Sequence, residues 1–368
     1  MRPGGSDTTV RAVETAVYVV PTDQPEADGT LEWDHTTMVV ATVRGGGVNG
    51  IGYTYASSAA AAVIDRVLAP TLRGVDVFAT QGAWNAMRRA VRNLGQPGLA
   101  FSAIAAVDTA LWDLKAKLLD VPLVILLGAA GGDVPLYGSG GFTSYDESTL
   151  LAQLGGWIDA GFQSVKMKVG RDPRADEQRV RAVRRAIGAD AGLFVDANGG
   201  YDRKLALALA MHFAEAGVEW FEEPVSSDDL EGLRLLRDRG PAGMRIAAGE
   251  YGYEPHYFRR MLEAGAVDVL QADVTRCGGI TGFMAVAAIC AAHSLDLSCH
   301  CAPALHVHPA CAVERLAHLE YFHDHAGIER LLFDGAPSPQ GGRLAPDLTR
   351  PGLGLVLKHA DAERYRQD

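Results

Sequence analysis

Eight ionisable side chains recur at the ends of short apolar stretches in the second half of this 368-residue sequence. They are Lys166 and Lys168 in SVKMKVG, Asp196 in FVDANGGY, Glu222 in WFEEPV, Glu250 in AAGEY, Asp273 in QADVTRCGGIT, His300 in SCHCAP, and Glu320. Any one acid after a strand reads most simply as a helix cap or a solvated loop residue. A lone His in an apolar strand reads as a core residue with one hydrogen bond. The set demands more. Burying several unpaired charges around one mouth is costly, and a bound cation would offset the carboxylates.

Asp196, Glu222 and Glu250 close three successive strand-like stretches. Three carboxylate oxygens, with positions left for water and substrate, suit Mg²⁺. No His or Cys belongs to this trio, which disfavours zinc. Cys299-His300-Cys301 suggests zinc by composition, but strand alternation would turn both cysteines away from His300. Lys166 and Lys168 are two apart, so both face the same mouth while Val165, Met167 and Val169 pack behind. One amine would neutralise a substrate carboxylate. The other, crowded by its partner, is expected to have a lowered pKa and to serve as a base. Asp273 beside His300 would fix the imidazole tautomer and raise its basicity. Glu320 is expected to be a neutral acid that donates to the substrate carboxylate.

The elements that must position these groups follow from periodicity. Strand-like stretches at 134–139, 163–169, 193–197, 218–222, 245–249, 267–272, 295–300 and 316–321 alternate with helical stretches at 176–187, 204–216, 230–238, 255–264 and 282–292. Strands alternating with helices imply a parallel sheet, and eight of them a closed barrel with its chemistry at the strands' C-terminal ends. The units share no common sequence, against a solenoid. Upstream, strands at 12–20, 36–44 and 50–55 precede helices at 59–69 and 81–93 and a buried amphipathic helix at 100–119, an α+β unit. The Gly- and Pro-rich tail after Phe333 adds no barrel unit and is expected to fold back on the N-terminal part.

Composition narrows the function. Hydrophobic residues make up 48% and charged residues 21%, a globular balance with a large core. The net charge of −11 disfavours nucleic acid as a partner. No apolar run reaches the length of a membrane span, and the opening MRPGGSDTTV lacks an apolar signal core, so the expected location is cytoplasmic. Five irregularly spaced cysteines argue against a disulfide framework.

In order and content these motifs resemble the enolase superfamily, in particular its mandelate racemase subgroup. The upstream AVDTALWDLKAKLLDVPLVILLG resembles the family's helix leading from capping domain to barrel, so the likeness runs over nearly the whole chain. It implies an α/β fold, a modified TIM barrel (β/α)7β with an N-terminal α+β capping domain. The capping domain would be residues 1–125 completed by the tail 334–368, and the catalytic barrel residues 126–333. It implies Asp196, Glu222 and Glu250 as Mg²⁺ ligands, with Glu223 a neighbour. Lys168 would be the base on one substrate face and His300, paired with Asp273, the base on the other. Lys166 and Glu320 would assist the substrate carboxylate, and Asn198 would order a bound water or substrate oxygen. Muconate-lactonising relatives carry Lys where this chain has Asp273, which points to the racemase arrangement.

The implied chemistry is removal of a proton α to a carboxylate, giving a metal-stabilised enediolate. Dehydration of a sugar acid, an aldonate or aldarate, to a 2-keto-3-deoxy acid is the favoured outcome. Racemisation or epimerisation of a 2-hydroxy acid is the alternative. A silent sensing or scaffold barrel is a third reading, opposed by the intact base set. Capping loops at 21–33 and 45–55, holding Asp23, Glu26, Asp28, Glu32, Trp33, Asn49, Tyr53 and Tyr55, are expected to select a polyol. Partners would be a small carboxylate and further copies of the chain, with no nucleic acid and no membrane. His306, His308, His323 and His325 are unassigned.

Overall fold

A computed structural model describes residues 8–129 and 131–367. Most of the opening stretch behind the cytoplasmic expectation therefore lies outside the described residues. The N-terminal part is an antiparallel meander of β1 (Val10–Ala27), β2 (Glu32–Gly45) and β3 (Val48–Tyr55). The two expected capping loops are mostly strand. The β1–β2 ladder shifts register between Pro21 and Glu26 and then resumes at Glu26–Trp33 and Ala27–Glu32. Pro21 offers no backbone N–H, and a bulge there lets pairing continue beyond it.

The helix Leu99–Leu118 packs on this sheet and is buried on nearly every side, more like a core helix than the amphipathic one expected. Its Ala-rich surface lets β3 approach closely. An added Cβ at Gly52 would stand 2.3 Å from the Ala106 carbonyl oxygen and 2.6 Å from the Ala110 nitrogen. Two buried acids on this helix act as clamps. Asp113 accepts the Ile51 and Leu353 N–H groups (2.8 and 2.7 Å) and pairs with Lys117 (2.6 Å). Asp108 accepts the Thr281 N–H and hydroxyl (2.9 and 2.7 Å), tying the capping unit to the barrel.

The eight predicted strands form a closed parallel barrel: β4 (Val134–Gly140), β5 (Ser164–Lys168), β6 (Gly192–Asp196), β7 (Val218–Glu222), β8 (Arg245–Ala248), β9 (Val269–Ala272), β10 (Asp296–Cys299) and β11 (Leu316–Phe322), with β11 paired back to β4. Tyr137, Phe194 and Trp220 fill the interior with His318; Phe194 and Trp220 stack at 5.4 Å. Each of the three aromatics lies two residues before a polar inward side chain, Ser139, Asp196 or Glu222. The period-two pleat thus sets the polar mouth on an aromatic floor. The tail serves both units: Arg343–Leu344 pair with β4, while Arg366–Gln367 pair with β1.

All five cysteines are buried and free, in line with the absence of a disulfide framework. Among the described residues no helix is long and apolar enough to cross a membrane.

The close β3–helix approach yields a stability prediction. Gly52→Ala should destabilise the protein by about 1–3 kcal/mol through overpacking. Urea unfolding would measure it, with an unchanged midpoint excluding the proposed clash.

Candidate active site

The barrel brings all eight ionisable groups singled out above to one mouth. Ligand atoms of Asp196, Glu222 and Glu250 lie within 4.8 Å of one another, and all three residues are buried. Asp196 ends β6, Glu222 ends β7, and Glu250 stands two residues beyond β8. Lys166 Nζ is 2.5 Å from Glu222 Oε1 and 2.9 Å from Glu320 Oε1. Lys168 Nζ is 2.5 Å from Asp196 Oδ2. On the other side, His300 Nδ1 is 2.9 Å from Asp273 Oδ2, and its Nε2 is 3.2 Å from Glu250 Oε2. Lys168 on β5 and His300 after β10 therefore adjoin opposite ends of the carboxylate trio.

The site carries more negative than positive charge. Asp196, Glu222, Glu223, Glu250, Asp273 and Glu320 are all buried, against Lys166, Lys168 and Arg276 as permanent cations. Burial, then repulsion from Asp196, pushes Glu222 up to about 8. Glu223 rises further, for burial and for its proximity to Glu250 and Asp196. Oxygens of Glu223, Glu250 and Asn198 are buried without a hydrogen-bond partner. Orphaned acceptors around a carboxylate trio fit a hard divalent cation, which takes oxygen ligands and needs no donor hydrogen.

Several expectations need correction. Lys168 does not have a lowered pKa. Burial and Lys166 disfavour its charge, but Asp196, Glu250 and Glu222 outweigh them and hold it above the ordinary lysine range. Glu320 is not a neutral acid. Burial would raise it, yet Lys166, His300 and Lys168 together hold it well below the usual carboxylate range. It accepts from Ser139 Oγ at 2.5 Å and from the Cys301 N–H at 3.0 Å. Cys301 does not face away from His300. The strand ends at Cys299, and Cys301 and Ala302 adopt left-handed backbone angles (φ 53° and 42°). Alternation fails there, and Sγ lies 3.3 Å from His300 Nε2.

The capping residues divide. Asp23, Glu32 and Asn49 are exposed, and Asp28 accepts the N–H groups of Thr30 and Leu31 in its own turn. Tyr53 donates to buried Glu329 at 2.6 Å, and Tyr55 stacks on His325 at 3.4 Å. The hairpin tip reaches the mouth: a Cβ at Gly29 would meet the Ala197 carbonyl oxygen at 2.2 Å. His306 accepts the Val274 N–H at 2.9 Å, His308 the Val124 N–H at 3.2 Å, and His325 the Ala302 N–H at 3.3 Å, all structural uses. His323 is 3.1 Å from Asp23 at the rim.

Two contributors went unread in the sequence, and Cys301 was turned the wrong way. Arg276 stands 3.6 Å from both Glu250 and Asp273, and its spacing three after Asp273 was the available signal. Ser139 shares the inward face of Tyr137. The turn at Cys301 depends on a conformation that side-chain type does not announce.

Residues 10–128 match the mandelate racemase/muconate lactonizing enzyme N-terminal domain, and residues 149–362 the enolase C-terminal domain-like family. A mandelate racemase/muconate lactonizing enzyme-like protein from Rubrobacter xylanophilus has a crystal structure with TM-score 0.96 and 54% identity, covering 98% of this chain and 100% of that one. The crystal structure of L-talarate dehydratase from Polaromonas sp. JS666, complexed with Mg and L-glucarate, has TM-score 0.89 and 31% identity over 99% and 98% of the two chains. The 3,6-anhydro-alpha-L-galactonate cycloisomerase of Streptomyces coelicolor is 33% identical over 357 residues, 95% of this chain and 97% of its own length.

The hairpin is joined to the barrel by a carboxyl pair beside the mouth. Trp33 Nε1 donates to Glu26 Oε2 (3.1 Å) and to Asp324 Oδ2 (3.2 Å), and the Tyr145 hydroxyl donates to Glu26 (3.2 Å). Burial, then Asp324, pushes Glu26 up to about 10. Because the fold raises this acid above its unfolded value, the associated stability is full below the unfolded pKa and is lost as pH climbs through the folded one. Glu26→Gln should therefore flatten the loss of thermal stability between about pH 5 and pH 10. Parallel slopes for wild type and variant would exclude a shared proton at this contact.

Proposed function

This chain belongs to the mandelate racemase/muconate lactonizing enzyme family of the enolase superfamily, and from that premise we propose that it is a Mg²⁺-dependent sugar-acid lyase. It removes the proton α to the substrate carboxylate and expels the β-hydroxyl as water, giving a 2-keto-3-deoxy acid. One observation carries the reading: Lys168 adjoins Asp196 and His300 adjoins Glu250, at the two ends of the carboxylate trio.

Asp196, Glu222 and Glu250 would hold the ion. Bound there, magnesium supplies Lewis-acid charge to the substrate carboxylate as negative charge grows on it. Lys166 adds a fixed positive charge, oriented by Glu222 and the ionised Glu320. Lys168 Nζ and His300 Nε2 flank the α-carbon, one on each face. One takes the α-proton. The imidazolium of His300, held through Nδ1 by Asp273, protonates the departing hydroxyl. The hairpin tip at Gly29 covers the mouth and keeps bulk water out, strengthening each charge interaction.

Residues 1–125 with the tail 334–368 would form the cover, and residues 126–333 the catalytic barrel. The pairing of Arg366–Gln367 with β1 supports that division for the end of the tail, whereas Arg343–Leu344 pair with barrel strand β4. Five buried thiols fit a reducing cytoplasm.

A second reading draws on the cycloisomerase relative: a cyclic acid whose ring oxygen is the β-substituent would meet the same groups. An epimerase would also use both bases. The test is a Mg²⁺-supplemented screen of aldonic, aldaric, anhydro and lactone acids for keto-acid release. Silence across the library would refute the lyase. Solvent deuterium incorporation with inversion and no loss of water would favour epimerisation instead.

Two mutant predictions follow from the assigned roles. Lys168→Ala and His300→Asn should each lower kcat by about 10²–10⁴-fold while circular dichroism shows that the fold survives. Asp196→Asn should weaken Mg²⁺ binding by calorimetry, and unaltered binding would remove that residue from the ligand set.

A further inference from the structure

The mouth contains a second constellation of donors, in which the proposed reaction uses His300 and Glu320 but leaves Cys301 without a role. His300 Nε2, Cys301 Sγ and Glu320 Oε2 form a triangle with sides of 3.3 Å (N to S), 3.5 Å (S to O) and 3.8 Å (N to O). Zinc bonds of about 2.0–2.3 Å at tetrahedral angles put adjacent ligand atoms about 3.3–3.7 Å apart. The triangle already has nearly the size of one face of a zinc tetrahedron. Its composition of imidazole nitrogen, thiol sulfur and carboxylate oxygen is also a zinc donor set, unlike the all-oxygen trio next to it.

Two further observations point to a ligand. Glu250 Oε2 lies 3.2 Å from the same His300 nitrogen and is buried without a completed hydrogen bond. It is a fourth donor at about the right spacing. The thiol is also held in place. The left-handed turn at Cys301 and Ala302 swings the side chain into the mouth, and that turn is fixed by His306 Nδ1 at 2.8 Å from the Cys301 carbonyl oxygen and by the Cys301 N–H on Glu320.

We propose that His300, Cys301 and Glu320 form a thiolate-containing site for zinc or another thiophilic divalent ion, adjoining the carboxylate trio at Glu250. Binding forms the metal–sulfur bond and releases the thiol proton to solvent, leaving the ion's oxidation state unchanged. It also occupies His300 Nε2, the nitrogen assigned to proton transfer. Zinc at this site therefore blocks turnover even when magnesium saturates the trio. The blocked turnover rests on the proposed function; the metal site does not, and its test reads no activity.

The full-length protein, saturated with Mg²⁺, is titrated with Co²⁺. The expected result is a near-ultraviolet thiolate-to-cobalt charge-transfer band at one ion per chain. Cys301→Ser should lose that band and Cys299→Ser should keep it. X-ray absorption at the zinc edge of the wild type, with one Zn²⁺ added per chain, needs no variant and should reveal one sulfur at about 2.3 Å. A shell of nitrogen and oxygen alone, or a cobalt band that survives Cys301→Ser, would overturn the site.

Discussion

Six carboxylates buried in one barrel mouth have to find positive charge, and the local arrangement of this protein follows from how they do so. Lys166 is drawn between Glu222 and Glu320, Lys168 to Asp196, and Arg276 between Glu250 and Asp273. Those amines and guanidinium leave a deficit, and Glu222 and Glu223 are pushed up first by burial and then by the neighbouring carboxylates. In a low-dielectric site an uncompensated carboxylate either takes a proton or takes a cation. A divalent ion on the trio resolves the deficit without neutralising the acids, so the charge balance and the proposed chemistry have one origin.

Such a site works only if water is kept from the charges below and above. Below, the stacked floor of Phe194 and Trp220, with Tyr137 under Lys166, closes the barrel interior. Trp220 also donates to Glu222 Oε2 at 3.0 Å, so the floor orients a proposed ligand as well as sealing the mouth. Above, the β1–β2 hairpin reaches over the strand ends. Trp33 attaches it, donating to Asp324 and packing edge-on against Phe142, while Tyr53 on Glu329 and Asp108 on Thr281 tie the rest of the capping unit to the barrel.

How much of this was legible in the sequence depended on whether each feature was local. The barrel strands were readable because apolar runs and helical periods alternate, and the reactive groups because strand ends follow from those runs. Lys166 and Lys168 were assigned to one face by spacing alone. What failed depended on neighbours from other strands. The charge of Glu320 is decided by Lys166 on β5 and Ser139 on β4, and that of Lys168 by Asp196 on β6. Residues 21–33 resembled a loop because Pro21 interrupts the pattern, whereas a bulge carries the strand through. Cys301 was misplaced because alternation was extended two residues past the end of β10, into a left-handed turn.

The two proposed bases are tethered in different ways, and the difference bears on their roles. Lys168 leans on Asp196, itself one of the trio, so any ion held there competes directly with the amine for that carboxylate. Occupancy of the trio should thus release Lys168 toward substrate and loosen its proton. His300 leans on Asp273, outside the trio, and Arg276 steadies that acid in turn. Although Nε2 also adjoins Glu250 of the trio, the imidazolium keeps the Asp273 counter-charge whether or not the trio is filled. A group whose proton loosens when the ion arrives suits proton removal, and a group that retains its proton suits donation to a leaving hydroxyl. On this layout a cation held by the trio would do more than polarise the carboxylate: it would separate the proposed base from the proposed acid.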